Sequence, residues 1–281
     1  MTVLMKTWVN GELTAGDAAA IRADDRGLLV GDGVFETMKV IGGTPFALTR
    51  HLDRLRRSAD GMFLTIPPDA DLRAAVIETL AANASELPGG DARLRITVTG
   101  GPGPMGSARG SAAPTLIVTT GKLPAYSGPA RVVTVPWPRN ERAATAGIKT
   151  TSYADNVVAL AYAHERGGDE AIFPNTLGRL CEGSGTNVFV GIGGQLLTPP
   201  LSAGCLAGVT RALLLEWTDA READLPLSAL AEADEAFLAS TTRDVHPISH
   251  VDGQALPHVG GPLSQAAGAA FARRAALELD A

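Results

Sequence analysis

The sequence predicts an α+β or mixed α/β chain folded as two lobes. Three observations lead there. Short strand-like runs alternate with helical runs along the whole chain. The 281 residues are 45% hydrophobic, enough to bury two modest cores. The stretch GKLPAYSGPA, residues 121–130, breaks the apolar periodicity, which restarts after it. The expected division is a smaller N-terminal α/β domain over 1–120, a linker over 121–130 and a larger C-terminal domain over 131–281.

The elements follow in order. TWVNGELT reads as a strand, a turn at Asn10-Gly11 and a returning strand. GVFETMKVIGGTPFAL repeats the pattern around Gly42-Gly43. Leu52, Leu55 and Ala59 fall at helical spacing, with Thr49 as the expected cap. A second helix is expected over Asp71 to Ala84. RLRITVTG and PTLIVTT are strands on either side of a glycine-rich loop, Gly100 to Gly110. Beyond the linker, RVVTVPW reopens the apolar pattern. A helix follows Tyr153 and stops at Gly167 and Gly168. EAIFPN, LGRLCEG and NVFVGIGGQLLTPP read as strands and turns. VTRALLLEW opens a helix, and SALAEADEAFLASTT reads as a helix and then a strand.

Composition excludes several functions. A net charge of −6 argues against nucleic acid or an anionic membrane as the main partner. No apolar run approaches a membrane span. The N-terminal residues lack the charged head and long apolar stretch of a secretory leader. Cys181 and Cys205 cannot form a disulfide framework, so a reducing cytoplasm is expected. No His, Cys, Asp or Glu cluster has metal-ligating spacing. Only four of the 24 basic residues are lysines: Lys6, Lys39, Lys122 and Lys149. Arginine replaces lysine as a charge but not as an amine nucleophile.

Several residue groups have chemistry to offer. Lys149 precedes an apolar helix, where partial burial would activate an amine toward a carbonyl, although taken alone it reads first as a solvated charge. Glu182 precedes Gly-Ser-Gly-Thr-Asn. There it is either the anionic partner of a ring nitrogen or a residue of an ordinary turn. Gly208-Val209-Thr210 opens a helix whose free amides suit a phosphate, or is simply a helix start. Ser240-Thr241-Thr242 again offers hydroxyls and amides. Arg54 suits a dianionic phosphate in bidentate fashion, whereas Arg56 and Arg57 read as surface charges. Arg93 and Arg95 share one face of a strand and suit a carboxylate or water. Ser184 lacks the strand–elbow–helix setting of a nucleophile.

The order of these groups resembles the fold-type IV pyridoxal-phosphate enzymes, the class IV aminotransferases, over nearly the whole chain. The matching stretches are Asp25-Arg26-Gly27-Leu28, Gly31-Asp32-Gly33-Val34-Phe35-Glu36-Thr37 and His51-Leu52-Asp53-Arg54-Leu55. They continue with Lys149, Asp169-Glu170-Ala171, Glu182 to Asn187, Gly208 to Arg211 and Ser240 to Arg243. The resemblance implies the two-lobed fold of the D-amino-acid aminotransferases and pyridoxal 5'-phosphate as cofactor. It implies that Lys149 forms the Schiff base and shuttles the proton, and that Glu182 pairs with the pyridine nitrogen. Arg54, Val209, Thr210 and Thr241 would hold the phosphate, with Tyr153 near the ring. Arg95, Thr241 and Thr242 would meet the substrate carboxylate. It also implies a small amino-bearing substrate and a homodimer whose active sites are completed near the subunit interface.

Within the family, the length and the compact glycine-rich loop resemble 4-amino-4-deoxychorismate lyase, which eliminates pyruvate to leave 4-aminobenzoate for folate synthesis. A branched-chain or D-amino-acid aminotransferase is the alternative. A non-catalytic relative is a remote third, since it has no need of an amine at Lys149.

Overall fold

The computed structural model describes residues 5–280, which fall into two compact units. The first unit joins the residues up to Pro124 with Ile148–Tyr153 and the C-terminal residues from Leu279. The second joins Ala125–Gly147 with Ala154–Glu278. The units are therefore not separated by one cut at 121–130. The segment holding Lys149 packs with the first unit because it pairs with a strand there: Phe35 N donates to Lys149 O, and Thr151 N to Gly33 O.

In the first unit, β1 (Thr7–Val9) and β2 (Glu12–Thr14) meet at Asn10 and Gly11, both with positive φ. A short helix, α1 (Arg26–Val30), leads into β3 (Gly33–Ile41) and β4 (Thr44–Pro45). Helices α2 (Leu48–Gly61) and α3 (Asp69–Ala82) follow, then β5 (Ala92–Thr99) and β6 (Thr115–Gly121). The strands form an antiparallel sheet in the order β2-β1-β6-β5-β3-β4. Its core joins Val34, Met38, Leu94 and Ile96 of the sheet to Leu52 and Leu55 of α2 and to Leu72 and Val76 of α3. The helical spacing read over Leu52, Leu55 and Ala59 is the buried face of α2. Thr49 is not its cap. The N-cap is Ala47 at φ 53, and the Thr49 amide and hydroxyl bond Asp280 instead.

The glycine-rich loop after β5 is clasped by one side chain. Arg26 Nη1 donates to the carbonyls of Pro104, Gly106 and Ala108, and Nη2 to that of Ser107. Its Nε donates to Asp32 at 2.9 Å. The loop's carbonyls are thus spent on the protein's own guanidinium.

The second unit begins with β7 (Ala130–Thr134), α4 (Ala154–Glu165), β8 (Glu170–Pro174) and β9 (Leu180–Gly183). It continues with β10 (Asn187–Ile192), β11 (Gln195–Thr198), α5 (Val209–Trp217) and β12 (Arg221–Glu222). It closes with β13 (Glu235–Ser240), β14 (Asp244–Val251), β15 (Gln254–Ala255) and α6 (Pro262–Ala275). The sheet runs β12-β11-β10-β13-β14-β7-β8-β9, with β15 on β14. Pairing is mixed, with β7 parallel to both β14 and β8. Ala159 and Ala163 of α4 pack on Ala171 and Phe173 of β8. The stretch SALAEAD, expected to be helical, makes only a 3-10 turn over Leu227–Leu230. Leu230 and Ala233 are drawn into the sheet core, and Asp234 N is already bonded to Gly191 O. Tertiary burial overrides the helix propensity of Ala, Leu and Glu.

Candidate active site

In the first unit the site is built on β3. Strand periodicity places Phe35 and Glu36 on opposite faces. Glu36 is fully buried, and its carboxylate accepts from Arg54 Nε at 2.7 Å and Arg54 Nη2 at 2.6 Å. His51 Nδ1 lies 2.7 Å from the same carboxylate. His51 and Arg54 are three residues apart on α2, hence on one face. Burial alone would raise the Glu36 carboxyl. The Arg54 guanidinium, helped by His51, overrides it and holds the group at about 2. Burial lowers the His51 pKa against the pull of Glu36. A neutral His51 facing an ionised carboxylate must carry its proton on Nδ1.

Lys149 is fixed to this strand through its backbone. Its carbonyl accepts from Phe35 N at 3.0 Å, and its amide donates to Ser58 Oγ of α2 at 3.1 Å. Its Nζ lies 4.4 Å from the centre of the Phe35 ring and 5.8 Å from that of Tyr153. The two rings meet edge to face at 5.2 Å. Arg95 stacks on Phe35 at 3.7 Å, and its Nε donates to Thr97. Burial lowers the Arg95 pKa, with Tyr153 acting in the opposite sense. Lys149, Tyr153 and Arg95 thus share one aromatic centre, and Arg54 lies one helical turn before Ser58. Gly31 permits this approach: at φ 66, a Cβ there would meet Ser152 Oγ at 2.5 Å.

In the second unit, Glu182 sits near the end of β9 and is buried. Its Oε2 accepts from Leu206 N at 2.8 Å. Arg139 Nε lies 3.1 Å from its Oε1, an ion-pair distance, but without the angle of a hydrogen bond. Leu206 also fixes the start of α5, since its carbonyl accepts from Gly208 N and Asn187 Nδ2. Val209 and Thr210, both buried, open α5, and the first amides of a helix have no intrahelical acceptor. Glu182, Val209 and Thr210 therefore hang on a single residue. Thr241 and Thr242 form the turn between β13 and β14, and Thr242 Oγ1 lies 3.1 Å from the Tyr126 hydroxyl.

The two thiols offer no competing chemistry. Burial pushes both up, Cys205 to about 12, so neither is a nucleophile near neutral pH. Ser184 Oγ donates to the Glu170 carboxylate, which is itself held by the amides of Ala171 and Ser184. Sequence reasoning gave no role to Glu36, His51, Ser58, Arg139 or Glu170. Glu36, His51 and Glu170 lie inside the quoted motifs. Their signal was a charged or polar residue inside a strand or on the apolar face of a helix.

Each unit carries donors of the kinds that pyridoxal 5'-phosphate takes: an amine at Lys149 and a guanidinium at Arg54 in the first, a fixed carboxylate at Glu182 and helix-start amides at α5 in the second. Among the described residues no helix is long and apolar enough to cross a membrane.

Comparison with known proteins agrees. Residues 33–251 match the family described as amino-transferase class IV. A Methanocaldococcus jannaschii protein assigned as a branched-chain-amino-acid aminotransferase is 32% identical over 90% of each chain. D-alanine aminotransferase of Listeria innocua is 31% identical over 89% of this chain and 88% of its own. Aminodeoxychorismate lyase of Bacillus subtilis is 28% identical over 87% and 86%. The branched-chain aminotransferase of Thermoproteus uzoniensis, solved with norvaline, superposes with a TM-score of 0.87 at 29% identity, over 96% of this chain and 94% of its own. A hypothetical aminotransferase from Mycobacterium tuberculosis, bound to α-ketoglutarate and PMP, gives 0.84 at 27% identity, over 95% and 97%.

Proposed function

The chain belongs to the class IV aminotransferases, enzymes that use pyridoxal 5'-phosphate, and from that premise we propose that it transfers the amino group of an amino acid to a 2-oxo acid. The observation that carries this reading is the Lys149 amine held over the Phe35 and Tyr153 rings by a backbone pinned at both its amide and its carbonyl. The α-ketoglutarate in the Mycobacterium tuberculosis neighbour and the aminotransferases among the relatives support transamination over elimination.

When bound, pyridoxal 5'-phosphate supplies an aldehyde that condenses with amines and a ring that accepts electrons from the substrate. Lys149 Nζ would hold the cofactor through its aldehyde carbon, and as a free amine would take the proton from the substrate α-carbon. Glu182 would pair with the pyridine nitrogen, and Leu206 N and Arg139 hold its carboxylate in orientation. Within the first unit, Arg54, with its Nε–Nη2 edge fixed on Glu36, would hold a phosphate, Tyr153 would face the cofactor ring and Arg95 would meet a substrate carboxylate. Within the second unit, Val209, Thr210 and Thr241 are the proposed phosphate donors, and Thr241 and Thr242 the proposed carboxylate donors. A second copy of the chain would cover the apolar side chains that the first unit exposes at Leu28, Phe63 and Met105.

The second reading is elimination of pyruvate from 4-amino-4-deoxychorismate, supported by the Bacillus subtilis relative. One experiment separates the two. The purified, cofactor-loaded protein is given L-leucine or D-alanine with 2-oxoglutarate and, separately, 4-amino-4-deoxychorismate with no 2-oxo acid. Glutamate formation alone supports the aminotransferase. Catalytic pyruvate release in the second mixture overturns it in favour of the lyase.

A further inference from the structure

Glu170 is a buried carboxylate that the proposed reaction does not use. It opens β8, two strands from β14 and next to β9, which carries Glu182. Its Oε1 accepts from the amides of Ala171 and Ser184, each at 3.1 Å, and from the Ser184 hydroxyl. Its Oε2 accepts from Thr186 Oγ1 at 3.4 Å and lies 3.6 Å from Arg243 Nη2. A buried acid with this many donors is arranged to fix what surrounds it.

The groups around it extend in two directions. On one side, the Ser184 carbonyl accepts from Asn156 Nδ2. Asn156 Oδ1 accepts from Arg139 at 3.2 Å, and Arg139 faces Glu182. On the other side, Arg243 Nη1 meets His246 Nδ1 at 2.9 Å, and the guanidinium stacks on Tyr126 at 4.4 Å. The Tyr126 hydroxyl reaches Thr242. Arg243 N closes the turn on Ser240 O. All of these residues lie within the second unit. A continuous polar chain therefore joins Glu182 to the Thr241-Thr242 turn, and Glu170 is the member that both halves share.

We propose that Glu170 is a positioning residue: through Arg243 it sets the Thr241-Thr242 turn in the geometry that receives a substrate carboxylate. The inference rests on the proposed role of that turn. Arg243 alone cannot define the turn, because a guanidinium without its acid partner is free to follow His246 or Tyr126. Glu170 supplies the fixed end. Ser184 and Ala171 in turn fix Glu170, so the tie is to the frame of β8 and β9 rather than to a loop.

The test is binding of 2-oxoglutarate to the pyridoxamine-phosphate-loaded protein, with the dissociation constant read from saturation of its single-turnover rate. It compares the parent chain with Glu170→Gln, Arg243→Met and the double variant, alongside cofactor affinity and melting temperature. Glu170→Gln keeps an acceptor for Ser184 but ends the pairing with Arg243. We expect each single variant to weaken 2-oxoglutarate binding about tenfold with cofactor affinity unchanged, and the double variant to be no weaker than either. A purely structural role would lower the melting temperature and leave the dissociation constant alone, and that result overturns the proposal. So does an additive double variant. Should Glu170→Gln not fold, Arg243→Met and Arg243→Lys carry the test: Met weakens binding, and Lys restores part of it. If the parent protein does not bind 2-oxoglutarate at all, the carboxylate role of the turn fails first, and the inference falls with it.

Discussion

At the scale of single residues, the chemistry rests on side chains whose neighbours fix their state. Lys149→Ala removes the amine while leaving the pairing of residue 149 with Phe35 and Ser58, because both bonds are to backbone atoms. The expected variant folds, lacks the visible absorbance band of covalently held cofactor, and loses turnover by at least about 10³-fold. A normal band in that variant would move the covalent role to another lysine. His51 gives a pH prediction. Its pKa is lowered in the folded state by burial, below the ordinary 6.5. Below pH 6.5 the unfolded chain takes up a proton that the folded chain refuses, so stability falls as pH falls and is unaffected above 6.5. Glu36 adds a second loss lower down. Its carboxylate, held at about 2, contributes stability present above 4.5 and lost as pH falls toward 2. His51→Gln keeps a donor for Glu36 but cannot titrate. Denaturation between pH 5 and 8 is expected to show the parent chain losing up to about 1.4 kcal/mol per pH unit more than His51→Gln below 6.5, with parallel curves above it. Parallel curves throughout would mean that His51 titrates alike in both states. Lys149, Glu182 and Arg54 were legible as candidates because amines, carboxylates and guanidinia announce their chemistry. The support given by Glu36, Ser58 and Leu206 was not, since it depends on which backbone or carboxylate atom lies within 3 Å or so.

Among elements, α5 shows why local sequence and site geometry are inseparable. Gly208 has an ordinary φ of −65, so it is not there for backbone freedom. It is there for space: a Cβ would meet Asn187 Oδ1 at 2.0 Å. Gly208→Ala must push Asn187 from Leu206, and Leu206 also holds Glu182. The expected cost is about 1–3 kcal/mol of stability from overpacking. Weaker pyridoxal-phosphate affinity should accompany it, read by urea denaturation and by cofactor titration. A variant that keeps both would show that the start of α5 yields without disturbing its neighbours. Strands and helices with strong periodicity, such as β5 and α2, were readable from spacing alone. The 3-10 turn at Leu227–Leu230 was not, because Ala, Leu and Glu favour a helix there and only the sheet core decides otherwise. Helix α1 was also invisible to periodicity. Its five residues are held by an Asp25 cap and by Gly31 at its end rather than by an apolar stripe.

Over the whole molecule, the linear reading missed that the first unit is assembled from distant pieces of chain. Apolar periodicity reports which face of an element is buried but not which remote segment covers it. Ile148–Tyr153 joins the first unit by pairing with Gly33 to Phe35, and the last residues join it at α2. That second junction makes a prediction. The N-cap of helix α2 is Ala47, which adopts a positive φ and has no side-chain group to cap the helix. The cap arrives from the other end of the sequence. Leu279 O accepts from Ala47 N at 2.6 Å, and the Asp280 carboxylate accepts from the Thr49 amide at 2.8 Å and its hydroxyl at 2.6 Å. An acid at a helix N-terminus also complements the helix dipole. Ending the chain at Glu278 removes these acceptors from the helix that carries His51, Arg54 and Ser58. A loss of about 1–2 kcal/mol is expected, the usual worth of an N-cap, with Asp280→Asn losing less because an amide oxygen still accepts. Urea midpoints of the three chains measure it. Equal midpoints would mean that α2 is held by its buried face on β3 alone. Truncation lowering the midpoint with Asp280→Asn between would show that the C-terminal residues are part of the frame on which the proposed phosphate arginine stands.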